Sequence, residues 1–142
     1  QETRLRLIWV LDAGLPPTVL VNCRVEDRAG RLLGIVDLLD EDAGEAGEFD
    51  GADHRGAVRH TDDLDREDRL RRHGLEVVRF TGLDLLQPTR VVDRLRSARE
   101  RAAFAAPAHR PWVARPAPAG ELDALLDRQD DERWWRDQRA DW

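Results

Sequence analysis

Residues 34–54 read GIVDLLDEDAGEAGEFDGADH, and this stretch decides the fold. Its opening continues an apolar run, Leu32 to Leu39, that reads as a strand. Asp40 to Gly44 (DEDAG) is a polar turn closed by glycine, and Gly47 to Asp50 is a short further strand. The same 21 residues hold eight carboxylates: Asp37, Asp40, Glu41, Asp42, Glu45, Glu48, Asp50 and Asp53. Like charges this close repel unless water or a cation separates them, so the stretch poses both a folding and a chemical question.

Working outward, Thr18 to Val25 (TVLVNCRV) is β-branched and partly alternating, and Glu26 to Arg31 with Gly30 is a hairpin turn, giving a meander of three strands. Upstream, Leu5, Ile8, Trp9 and Asp12 fall at helical spacing within Glu2 to Ala13, and Gly14 with Pro16-Pro17 stops that helix. Downstream, Asp62 to His73 has acids early and arginines late, as the helix dipole favours, and Gly74 ends it. Leu75 to Phe80 (LEVVRF) reads as a strand. A helix from about Arg90 to Phe104 carries the apolar stripe Val91, Leu95, Ala98 and Ala102. The order is αβββαβα, an α/β chain.

Residues 105–120 are rich in Pro and Ala and read as an extended linker after a domain spanning 1–104. Residues 121–142 form an acidic tail whose Trp134, Trp135 and Trp142 need a surface, either this domain or a protein partner. At 142 residues the chain is long enough for one domain with a real core. It has no Met and begins with Gln, which reads as a fragment or processed product. No apolar run approaches ~18 residues, so no membrane span is expected. The single Cys23 excludes a disulfide framework and a Cys-rich zinc site, leaving the cytoplasm as the default location.

The net charge of −6 argues against a protein that coats nucleic acid, but the charge is segregated. From Glu26 to Asp53 there are ten acids and two arginines; from Thr89 to Arg115, seven arginines and two acids. All 23 basic residues are arginine. Glu48 and Asp50 alternate on one strand and so share a face, and Asp37 lies beside that face if the two strands pair. Three converging carboxylates are most simply reconciled by a hard divalent ion, and Mg²⁺ suits two or three carboxylates plus water. Asp40, Glu41, Asp42 and Glu45 read instead as solvated turn acids. Arg79 needs a partner, either an acid such as Asp63 or Glu67 or a phosphate. Arg90, Arg94 and Arg101 form a row that is either a solvated face or a DNA-backbone track.

Asp37, then Glu48-Phe49-Asp50-Gly51, then His54, resembles the D…E-x-D-G-x-x-H signature of a bacterial family related to very-short-patch-repair endonucleases, within the PD-(D/E)XK nuclease superfamily. The similarity extends over roughly residues 1–104. It takes in Glu2 with Leu5-Arg6, Gly14 to Pro16, Asp63-x-x-Arg66 with Leu70 and Gly74, and Val77 to Gly82 (VVRFTG). The resemblance implies a restriction-endonuclease-like core, a mixed sheet flanked by helices, that hydrolyses DNA phosphodiesters with Mg²⁺ or Mn²⁺. It implies Asp37 and Glu48 as metal ligands, with the Phe49 carbonyl as a further oxygen. Glu2 would orient a water or second ion, and His54 would transfer a proton or contact phosphate; without the motif, His54 reads as a surface or satisfied histidine. One departure is chemical. Asp50 stands where the wider superfamily has Lys, and the chain contains none. A carboxylate there can bind a second metal or orient water but cannot stabilise a hydroxide as an ammonium does. The alternative expectation is a non-catalytic nuclease-like fold serving as a DNA- or protein-binding module of a toxin–antitoxin or phage-defence protein.

Overall fold

The computed structural model describes residues 2–50 and 57–116. Strands β1 (Leu20–Asp27) and β2 (Leu32–Asp40) pair antiparallel. Their turn is set by Asp27, whose Oδ1 accepts from the N–H groups of Ala29 and Arg31, both at 2.9 Å. This is the Asx geometry that lets a short acidic side chain replace a backbone turn partner. Strand β3 (Glu45–Asp50) pairs antiparallel with β2 after a turn in which Gly44, at φ 74°, takes a conformation that L side chains rarely adopt. Helix α2 (Ala57–Arg72) then crosses over, and β4 (Glu76–Thr81) lies parallel to β3. That pairing requires a crossover, which a tight hairpin cannot supply.

The chain is thus α/β, with a five-stranded mixed sheet in the order β4-β3-β2-β1-β5 flanked by helices. Helix α1 (Glu2–Leu7) continues as a wider π-turn over Ile8–Asp12, together filling nearly the segment expected. Helix α3 (Pro88–Arg101) starts on a proline, whose missing N–H costs nothing in the first turn. It stops three residues before the expected Phe104. Helix α2 begins five residues earlier than the expected Asp62, and its end is a Schellman closure in which the Leu75 N–H reaches the Leu70 carbonyl at 3.2 Å.

The reading of residues 105–120 as a linker needs correction. Trp112–Pro116 forms β5, antiparallel to β1, and Trp112 is buried beside Leu75 and Cys23. The Pro/Ala composition concealed the strand because the pairing that fixes it is made with β1, almost ninety residues away. Residues 117–142, including the tail tryptophans, lie outside the described residues.

Two apolar clusters cover the two faces of the sheet. Leu5, Ile8 and Trp9 join Val78, Phe80, Val91 and Leu95 under α1 and α3, while Leu70 of α2 joins Leu39, Ala46, Leu75 and Val77 on the other side. Burying each of these leucine, isoleucine, valine and phenylalanine side chains contributes roughly 1.5–3 kcal/mol. In β3 and β4 the alternation is regular: Ala46 and Val77 meet the α2 cluster, while Phe49, Val78 and Phe80 meet that of α1 and α3. In β1 and β2 it is interrupted. Asn22 adopts φ 48° where the register runs from Val21↔Leu38 to Cys23↔Val36, opposite Asp37. Beyond this point Val36 packs with the α2 cluster, although Leu38, two residues on, packs with the other.

Candidate functional site

Asp37 stands at that interruption, half-buried, and is turned toward β3. Its Oδ2 accepts the Phe49 backbone N–H at 2.7 Å. The bond fixes Asp37 against the strand segment that carries Glu48 and Asp50.

Glu48 is buried, 4% exposed, and its charge is met by arginine. Arg66 of α2 donates to Glu48 Oε1 at 2.6 Å and to Oε2 at 2.8 Å, a two-bond fork that matches guanidinium to carboxylate, and it also donates to the Ile35 carbonyl at 2.9 Å. Helix α2 comes this close because residue 34 is glycine: a Cβ there would lie 3.1 Å from Arg66 Cγ and 3.4 Å from Leu70 Cδ1. Burial works against the Arg66 charge. The field and hydrogen bonds of Glu48, with smaller contributions from Asp63 and Asp37, outweigh it and hold the guanidinium pKa above its usual value.

Arg79 is the direct cross-strand neighbour of Glu48. Its guanidinium lies 3.8 Å from Glu48 Oε2 and 4.0 Å from Asp50 Oδ2. The expected partners Asp63 and Glu67 are therefore replaced by strand neighbours, and Glu67 pairs with Arg71 at 2.6 Å. Asp50 is exposed. The Glu2 side chain and His54 lie outside the described residues; α1, which carries Glu2, packs its apolar side with α3.

Two carboxylates and a backbone carbonyl are the donors a hard divalent ion takes. As arranged, however, they do not fit one, because both Glu48 oxygens are committed to Arg66. Among the described residues no group of three or more His, Cys, Asp or Glu side chains is placed to hold a metal ion.

A second acidic group was not foreseen. Asp40, Glu45 and Glu76 are register partners across β2, β3 and β4. Asp40 and Glu45 were expected to be solvated turn acids, yet they are 4% and 0% exposed. Arg99 of α3 covers them, hydrogen-bonded to Asp40 and 3.9 Å from Glu45, and Arg101 lies 3.5 Å from Glu76. Both Glu45 oxygens are buried with no hydrogen-bond partner. Burial pushes the Glu45 carboxyl up to about 8; Arg99 opposes the rise, and Asp40 and Glu76 add to it. The available signal was the position of Arg99, four residues after Leu95 and next to Ala98 on the buried side of α3.

No family model matches the chain, and neither a curated protein nor a solved structure matches it significantly.

Proposed function

We propose that the chain is a metal-dependent endonuclease domain of the very-short-patch-repair-like type that hydrolyses DNA phosphodiester bonds, on a restriction-endonuclease-like core. The observation that carries this reading is the Asp37 to Phe49 hydrogen bond, which holds one carboxylate beside the strand bearing Glu48 and Asp50. The resemblance of Asp37, Glu48-Phe49-Asp50-Gly51 and His54 to the nuclease-family signature also supports it. A divalent ion would supply polarisation of a phosphoryl oxygen and a more acidic water. Arg66 neutralises the buried Glu48, and in this reading it must release at least one carboxylate oxygen before the site is competent. Arg79 stands beside the acids with its charge only loosely met, suitably placed to receive a phosphate oxygen.

A second reading is favoured by the Arg66–Glu48 fork itself: a nuclease-like fold whose acids are balanced internally by arginine and which binds DNA or a protein without cutting, as part of a toxin–antitoxin or phage-defence protein. The absence of any Lys supports it too. Calorimetric titration with Mn²⁺ separates the two. The endonuclease reading expects saturable binding that is lost in Asp37→Ala; no binding heat from the folded full chain, with or without DNA, favours the binding module.

A further inference from the structure

Beside the candidate site, β4, the edge strand among the described residues, forms the floor of a cleft of about 380 Å³ walled by α2 and α3. Four arginines line it, Arg71, Arg79, Arg94 and Arg101, against two acids, Glu67 and Asp93. Two of the arginines are held in place by the edge strand. Arg71 donates to the Val77 carbonyl at 3.1 Å and Arg94 to the Arg79 carbonyl at 2.8 Å, while the Arg94 guanidinium also stacks 4.7 Å from the Phe80 ring centre. These bonds occupy carbonyls that an added β-strand would need, which disfavours a peptide as the occupant.

Much of the guanidinium charge remains uncommitted. Arg79, Arg94 and Arg101 meet their acids only at 3.5–4.0 Å, too far for strong hydrogen bonds. Among the described residues the Arg79 and Arg101 guanidinium groups donate no hydrogen bond, although each carries five donors. We propose that this cleft binds phosphate groups of a nucleic-acid backbone and leads the strand toward Glu48 and Asp50. The inference rests on the reading of DNA as the substrate but not on cleavage.

The test is fluorescence anisotropy of a labelled DNA duplex with the full chain in EDTA, comparing wild type, Arg71→Gln/Arg101→Gln and Arg101→Gln. Circular dichroism melting checks that each is folded. Arg101 is 60% exposed, so its single variant remains informative if the double variant unfolds. The double variant is expected to bind about tenfold more weakly, with a salt slope smaller by about 2, one unit per lost phosphate contact. Equal affinity and slope in wild type and variants overturn the proposal. Inorganic phosphate and a mononucleotide are titrated in parallel. If either binds and is lost in the variants while DNA affinity is unchanged, the cleft takes a small phosphate ligand and the backbone assignment fails. Because EDTA excludes cleavage, failure of the endonuclease reading leaves this outcome untouched, and the converse also holds.

Discussion

At the scale of single residues, the decisive contact is the fork between Arg66 and Glu48. Removing one partner of a buried ion pair strands the other charge, which typically costs about 3–5 kcal/mol. Arg66→Ala is therefore expected to lose stability of that order in urea unfolding at pH 7, with Arg79 too distant to replace it. Glu48→Gln/Arg66→Gln should recover much of the loss; equal destabilisation in the double variant would mean the pair is not the source. Gly34→Ala tests the same contact from beneath. The flexible Arg66 stem could ordinarily yield to a Cβ at 3.1 Å, but here its far end is tethered to Glu48 and Ile35. A loss of about 1–3 kcal/mol is expected by the same unfolding measurement, and full wild-type stability would show that α2 can move away freely. The sequence displayed Asp37, Glu48 and Asp50 as a set, since alternation along β3 is local. It also carried a signal for Arg66, placed one helical turn before the buried Leu70. Which acid Arg66 meets was not legible, because the two lie on different elements.

At the scale of elements, the row Asp40, Glu45 and Glu76 shows what local reading misses. A run of acids around a glycine turn resembles a solvated turn until Arg99 of α3, more than fifty residues later in the chain, lies across it. The consequence is a pH dependence. The Glu45 carboxyl has an ordinary pKa of 4.5 and is pushed up to about 8 in the folded chain, mainly by burial. Below about pH 4.5 both folded and unfolded chains hold this proton; between 4.5 and 8 only the folded chain does. Folding therefore takes up a proton in that window, and Glu45 contributes stability that is lost as the pH rises through 8. Replacing Glu45 with Gln should flatten this part of the profile, so that the variant gains on wild type between pH 5 and pH 8.5. Urea midpoints measured across that range test it, and parallel profiles would show that Glu45 does not titrate there. The meander was legible because its strands are β-branched and its turns carry Gly30 and Gly44. Strand β5 was not, since only its pairing with β1 distinguishes it from the Pro/Ala-rich segment around it.

At the scale of the whole molecule, the segregation of charge along the sequence becomes a juxtaposition in space. The acidic meander supplies Glu48 within the sheet, where Arg66 of α2 and Arg79 of β4 meet it; Arg99 of α3 balances Asp40 and Glu45 on the other face, and arginines of α2, β4 and α3 line the cleft at the β4 edge. The proposed endonuclease reading requires Arg66 to release Glu48, both of whose carboxylate oxygens it holds in the folded chain. The direct measurement is cleavage: the purified full chain incubated with duplex, nicked, mismatched and single-stranded DNA in Mg²⁺ or Mn²⁺, beside Asp37→Ala. Metal-dependent strand scission by the wild type that Asp37→Ala loses is the predicted result. No scission of any of these substrates, or equal scission by the two proteins, would contradict it.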